Sequence, residues 1–326
     1  MYKLHEIKML HFELTNKCQA SCPMCGRNIQ GGIDNPWLVE NEITFDQIKQ
    51  WFPVDFIKQL ETVLMCGSFG DPIIAKDTLA ICQYFREVNP SVNLHMNSNG
   101  SARTTKWWKE LGKTGVRVRF GIDGLEDTHP LYRIGTDWQM IMRNVRAFID
   151  AGGVAIWDML IFEHNKHQVD DCEKLAKEMG FSEFVPKHSS RFKSGFVQVL
   201  TKEGKTSHMI YPSERSKEFA ITFMEYKIEE NKEIHCKAKE QKTLSINAHG
   251  EISACCWMDF AADMPMGFSN VDYKDRGFVN PSLKKNTLAE IFDSDYFDRI
   301  EATWTDKPLR VCSKQCGKFD KLGAQF

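Results

Sequence analysis

Residues 11–25 read HFELTNKCQASCPMC. His11–Leu14 is a short strand candidate, and the loop after it holds Cys18, Cys22 and Cys25 in the spacing C-x3-C-x2-C. Thiolates select soft or borderline metals such as zinc, copper and the irons of iron–sulfur clusters. A structural zinc site takes four ligands. This loop offers three, and no histidine or fourth cysteine nearby completes a zinc set. Three cysteines can hold three irons of a cubane cluster and leave the fourth iron open to a substrate-like ligand. A loop at the C-terminal end of a strand is also where β/α barrels keep their chemistry.

Outward from this loop the pattern alternates. Thr44 and Gln47 have capping-box spacing ahead of Phe45, Ile48 and Phe52. Thr62–Met65 reads as a buried strand, Asp77–Val88 as an amphipathic helix, Val92–Met96 as a strand and Thr104–Leu111 as a helix. Val116–Ile122 alternates as a strand with Arg117 and Arg119 on one face. Trp138–Ile149 reads as a helix, Val154–Phe162 as a strand, Val169–Met179 as a helix and Phe184–Pro186 as a sixth strand. Repeated β–α units predict a parallel sheet with right-handed crossovers. The expected fold class is α/β: a partial (β/α)6 TIM-like barrel over residues 1–190, with a small C-terminal domain over 236–326. Residues 187–235 read as a polar, irregular linker with one helix at Ser216–Glu230, and 236–326 show little regular pattern.

Composition bounds the rest. A chain of 326 residues with 42% hydrophobic and 26% charged residues has room for a large core and a second domain. A net charge of −2 gives no global footprint of a nucleic-acid binder. No run approaches the roughly 20 apolar residues of a membrane helix, and the start lacks a signal-peptide core, so the cytoplasm is expected. The 11 cysteines are odd in number and gather towards both ends: Cys18, Cys22 and Cys25, then Cys236, Cys255, Cys256, Cys312 and Cys316. Clustered thiols of a cytosolic chain point to metal rather than disulfides.

C-x3-C-x2-C after the first strand of a β/α repeat resembles the radical S-adenosylmethionine (SAM) superfamily. The resemblance implies a [4Fe–4S] cluster on Cys18, Cys22 and Cys25 whose open iron chelates SAM. It also implies reductive cleavage to a 5′-deoxyadenosyl radical, and an electron donor such as flavodoxin or ferredoxin. Met24 stands where the family often has an aromatic residue. Gly67-Ser68-Phe69-Gly70-Asp71-Pro72 resembles the glycine-rich turn that meets the SAM amino group, with Asp71 in place of the usual glutamate. Asn97-Ser98-Asn99-Gly100 resembles the Thr-Asn-Gly turn. Gly121-Ile122-Asp123-Gly124 resembles Ser-x-Asp-Gly, with Gly121 removing a hydroxyl. Asn165 matches a polar position after the fifth strand. The resemblance therefore marks Met24, Gly67, Ser68, Phe69, Gly70, Asp71, Asn97, Asn99, Asp123 and Asn165 for SAM.

Further on, Leu244–Ala254 reads as a strand, a His249-Gly250 turn and a second strand ending on Cys255-Cys256. This resembles the SPASM extension or its shorter form, twitch, and Leu288–Phe292 matches its helix. The resemblance implies a second, auxiliary [4Fe–4S] cluster on Cys236, Cys255, Cys312 and Cys316. Cys256 is the alternative to Cys255, and the spacing of four thiols does not separate a cluster from zinc. No catalytic side chain stands out. Cys66 and Cys256 are candidate hydrogen donors should the reaction be an epimerisation. Lys187, His188, Arg191, Lys193, Lys202, Lys205 and His208 form a basic set able to bind an anionic group or to face solvent, and His129 follows the Asp123-Gly124 turn towards the expected barrel mouth. The function expected is hydrogen abstraction from a peptide or peptide-like substrate. The alternatives are oxidation or epimerisation of a sugar or aminocyclitol, and a colourless zinc-stabilised binding protein with no SAM cleavage.

Overall fold

Burial splits the first strand by parity: Leu10 and Phe12 are buried, whereas Met9 and His11 are half-buried. That is the period of a strand packed on helices on one side and facing an interior on the other. The computed structural model describes residues 1–66, 68–189, 191–192, 195–218, 233–259 and 271–317. Its strands are β1 (Met9–Phe12), β2 (Asn28–Ile29), β3 (Ile33–Asp34), β4 (Thr62–Met65), β5 (Asn93–Ser98), β6 (Arg117–Gly121), β7 (Val154–Ile161), β8 (Glu183–His188), β9 (Val197–Leu200), β10 (Thr206–Ile210), β11 (Thr243–Ile246) and β12 (Ile252–Ser253).

β1 and β4 to β8 lie parallel in that order, as the alternating pattern predicts. The crossovers are helices α1 (Phe45–Trp51), α2 (Val54–Gln59), α3 (Thr78–Val88), α4 (Thr105–Gly112), α5 (His129–Tyr132), α6 (Trp138–Asp150) and α7 (Val169–Met179). α1 begins with the expected capping box: Gln47 N donates to Thr44 Oγ1 at 3.3 Å and Thr44 N donates to Gln47 Oε1 at 2.9 Å. Between sheet and helices the core is aromatic. Phe12 meets Phe52 edge-on, and Trp108 packs on Phe120 and Phe148.

The sheet does not stop at six strands. β11 adds in parallel to the free edge of β1, pairing Met9 with Thr243 and Phe12 with Ile246, and β12 folds back antiparallel on it. The hairpin expected at His249-Gly250 thus extends the barrel sheet. Gly250 takes φ +77°, and a Cβ there would lie 2.6 Å from the Trp51 ring.

Two expectations are corrected. Residues 187–235 are not uniformly irregular: β9 and β10 form an antiparallel hairpin, turning at Gly204 with φ +77°. The helix expected at Ser216–Glu230 falls mostly outside the described residues, of which 214–218 are helical. The C-terminal segment is also more regular than its sequence suggests, with helices Lys237–Glu240, Cys256–Asp259, Val271–Asp275, Leu288–Asp293, Tyr296–Asp306 and Arg310–Cys316. Most span two turns or fewer, too short for an amphipathic period to show. Among the described residues no helix is long and apolar enough to cross a membrane.

Candidate functional site

β1 ends at Phe12 and the chain loops over the C-terminal ends of the strands, carrying the first three cysteines. Ser21 N donates to Ile134 O at 2.8 Å and Cys25 N to Cys22 O at 2.9 Å, which ties this loop to the segment after α5. Ala20, Cys22, Tyr132, Phe162, Phe192, Val199 and Ile210 form a second, smaller core under the loop, with Cys18, Met24 and Cys25 packed against it. The β9–β10 hairpin that sequence reading missed therefore covers the thiols. Leu200 N donates to Gln30 O at 2.8 Å. Gly32 sits so close that a Cβ would lie 2.2 Å from Thr201 O.

Burial pushes the Cys18 and Cys22 thiols up, Cys22 to about 11 although Arg133 pulls it down. Nitrogen donors are turned towards the sulfurs: Ala20 N at 3.4 Å and Asn99 Nδ2 at 3.6 Å from Cys18 Sγ, and Arg133 Nη1 at 3.9 Å from Cys22 Sγ. Such donors suit anionic sulfur, and buried thiols give up their protons when a metal takes them. The residues present therefore fit an iron–sulfur cluster.

The turn before α3 is held by two buried carboxylates. Asp71 Oδ2 accepts from Asn99 N at 2.7 Å and Ser98 Oγ at 3.1 Å, and Oδ1 accepts from Ile73 N. Burial raises this carboxyl to about 6. Glu13, which sequence reading passed over, accepts from Phe69 N at 2.8 Å and Gly70 N at 3.5 Å. It also bonds the backbone of Ser68 and Ala248, so it joins the glycine turn to the β11–β12 hairpin. Counting by twos from Leu10 and Phe12 turns Glu13 inward, which was the available signal. Gly67 lies outside the described residues.

Burial pushes Glu13 up to about 7 from 4.5, against the pull of its backbone donors. A carboxyl raised on folding contributes stability that is complete below its unfolded pKa and is lost as pH rises through the folded value. Between about pH 4.5 and 7 the apo chain is expected to lose on the order of 3 kcal/mol more than Glu13→Gln does. Urea denaturation across that range reads the difference, and parallel profiles would refute it.

Asp123 is fully buried. Its Oδ2 accepts from Arg133 Nε at 2.6 Å and its Oδ1 from Leu160 N at 2.7 Å. Arg133, also missed from sequence, fills the space left at Gly121: a Cβ on Gly121 would lie 2.6 Å from Arg133 Nη2. Loss of the serine hydroxyl thus makes room for a half-buried cation beside the cysteine loop. Asn165 is buried and its amide is bonded to backbone, donating to Asp123 O and Leu160 O and accepting from Phe162 N. His129 does not reach the mouth as expected. It is buried, accepts from Asp123 N at Nδ1, and burial pulls its pKa down to about 3. Asn97 Nδ2 donates to Cys66 Sγ at 3.2 Å inside the barrel, and Met24 O accepts from Arg191 Nη1 at 3.2 Å.

The second cysteine group assembles around the β11–β12 hairpin. Cys236 precedes helix Lys237–Glu240, Cys255 follows β12, and Cys312 and Cys316 lie one turn apart on Arg310–Cys316. These four line one small cavity with Met258 and Trp304, and Cys256 is not among its lining residues. Cys236 and Cys316 share a hydrogen bond that pulls Cys316 down and pushes Cys236 up, while burial raises Cys255 and lifts Cys312 to about 12. Four soft donors lining one apolar cavity are the chemistry a protein-ligated cluster takes, while among the described residues no group of three or more His, Cys, Asp or Glu side chains is arranged to hold a single metal ion.

Sequence comparison agrees with this geometry. The model described as radical SAM superfamily matches residues 12–176, and the one described as SPASM, an iron–sulfur cluster-binding domain, matches 236–317. Comparison with curated proteins gives no match. Among solved structures, Streptococcus suis SuiB bound to S-adenosylmethionine is 12% identical with a TM-score of 0.56, over 91% of this chain and 68% of SuiB. SuiB bound to precursor peptide SuiA is 14% identical with a TM-score of 0.51, over 93% of this chain and 65% of SuiB. Native anSMEcpe with AdoMet and Cp18Cys peptide is 14% identical with a TM-score of 0.56, over 94% of this chain and 88% of that one. At these identities the likeness establishes the fold. With the superfamily model spanning half of its length, the chain belongs to the radical SAM superfamily, an enzyme that uses a [4Fe–4S] cluster and SAM and carries a SPASM domain for auxiliary iron–sulfur binding.

Proposed function

We propose that this enzyme abstracts a hydrogen atom from a peptide or peptide-like substrate held in the open interior of its partial barrel. When bound, the cluster and SAM supply the 5′-deoxyadenosyl radical. In this reading Cys18, Cys22 and Cys25 hold that cluster, and residues 1–190 form the unit around it. Ser68, Phe69 and Gly70 present backbone to SAM, fixed from behind by Glu13 and Asp71. Arg133 is the half-buried cation available to the SAM carboxylate. Cys236, Cys255, Cys312 and Cys316 hold the auxiliary cluster within 236–326, and the β9–β10 hairpin between the two units packs over the first site. A flavodoxin or ferredoxin supplies electrons.

The observation that supports a substrate cavity is the inward face of the sheet. His95, Asn97, Arg119, Asp158 and Lys187 lie there half-buried, where a closed barrel would be filled by branched apolar side chains. SuiB with its precursor peptide and anSMEcpe with its peptide favour a peptide over a sugar. The test is anaerobic incubation of reconstituted enzyme with SAM and reductant, against a peptide library and a panel of sugars and aminocyclitols. Peptide-dependent acceleration of 5′-deoxyadenosine formation is expected. Acceleration by a sugar alone would overturn the substrate assignment and leave the radical chemistry.

A further inference from the structure

Resting on the reading of the barrel interior as the substrate cavity, we infer that Arg119 and Lys187 form a carboxylate-binding subsite, so that the substrate is an anion. Both cations converge on Asp158. Arg119 Nη2 lies 2.7 Å from Oδ1 and Nε 3.0 Å from Oδ2, and Lys187 Nζ lies 2.6 Å from Oδ2. One carboxylate thus serves two cations. Arg119 Nη1 and two of the three Lys187 N–H donors have no protein partner among the described residues.

The neighbouring charges do not make up the difference. Arg117 lies on the same face as Arg119, near enough to His95 to depress its pKa along with burial, which leaves the imidazole neutral. Glu183 acts on Arg119 from the far end of β8. Arg117, Arg119 and Lys187 against Asp158 and Glu183 leave one positive charge. The other carboxylates at this end of the barrel are engaged: Asp123 by Arg133, Asp71 by Asn99 and Ser98, Glu13 by backbone N–H groups.

The array is accessible. The side chains of Arg119, Asp158 and Lys187 are 29%, 20% and 43% exposed, whereas Asp123 in its pair with Arg133 is fully buried. Gly121 stands opposite Asp158 in the register, and the Arg133 guanidinium occupies the space over it. Asn97, opposite Arg119, keeps Oδ1 buried with no hydrogen-bond partner. That is an acceptor for an N–H or O–H of the same ligand, since a buried acceptor left unmet is destabilising. A carboxylate entering this space completes both cations. A cationic aminocyclitol would be opposed by the excess charge. An acidic residue or C-terminal carboxylate of a peptide fits.

The test uses reconstituted holoenzyme with SAM, ¹³C-succinate as the carboxylate probe and putrescine as the cationic one, read by ligand-observed NMR. Succinate is expected to bind and putrescine not. Lys187→Gln should weaken succinate about tenfold, the loss of one charge-assisted bond, and Lys187→Arg should restore it. Arg119→Gln should do the same, with circular dichroism reporting its folding. Absence of succinate binding to wild type, unchanged binding in Lys187→Gln, or preference for putrescine overturns the inference. The same wild-type preparation is assayed for 5′-deoxyadenosine. If it forms SAM-derived product and ignores succinate, this inference alone falls. If it leaves SAM untouched, the underlying reading falls.

Discussion

Replacing Cys18, Cys22 and Cys25 together by alanine should lower the iron content of the reconstituted protein by about four per chain and abolish 5′-deoxyadenosine formation. The remaining iron belongs to the second group, and there single variants separate the neighbours. Cys255→Ala should lose it because Cys255 lines the cavity with Cys236, Cys312 and Cys316, whereas Cys256→Ala should retain it because Cys256 does not. Iron and sulfide counting with electron paramagnetic resonance reads both. Iron retained in the triple variant, or lost equally in Cys255→Ala and Cys256→Ala, would refute the ligand sets. Zinc instead of iron at the second group would refute the auxiliary cluster and leave the first prediction standing.

The second large effect is expected at Gly70. A Cβ there would lie 2.1 Å from Thr15 O and 2.7 Å from Asn16 Cα, both backbone atoms of the segment entering the cysteine loop. Backbone cannot rotate aside as a side chain can, so the turn must separate from the loop. Asp71 N donates to Lys17 O at 3.0 Å across the same contact. Gly70→Ala should cost about 3 kcal/mol and disrupt SAM binding, because the turn and the cluster loop are then out of register. Denaturation of the apo chain and calorimetry of SAM binding to the loaded enzyme measure the two losses. A variant with wild-type stability and affinity would refute the close approach.

Much of this was legible in residue order. The parallel strands β1 and β4 to β8 and the helices α1, α3, α4, α6 and α7 follow apolar periodicity, and the capping box at Thr44 fixes the start of α1, whereas β2, β3, α2 and α5 are too short to show a period. The cysteine spacing singled out the two thiol groups to which the proposed clusters are assigned. What stayed hidden depends on contacts without local signature. β1 and β11 pair residues from opposite ends of the chain, so no window of sequence records the partnership. The β9–β10 hairpin was hidden because its strands are short and half-exposed and Lys, Glu and Thr dominate its turn. Arg133 looked like one more cation on a helix end. Only the space that Gly121 leaves reveals why its guanidinium sits there. Glu13 was hidden because alternation was used to find strands and not to ask which side chains point inward.

The parallel pairing of β1 with β11 has a consequence for the nascent chain. β8 ends at His188 and β11 begins at Thr243, so the ribosome adds roughly 55 residues between them. At about 5–20 residues per second that takes roughly 3–11 s. Through that interval one edge of the barrel's first strand presents bare N–H and C=O groups, a template for pairing with another chain. The strand that protects it lies between Cys236 and Cys255, so protection of the β1 edge is built into the same stretch of chain as the first two thiols of the second group.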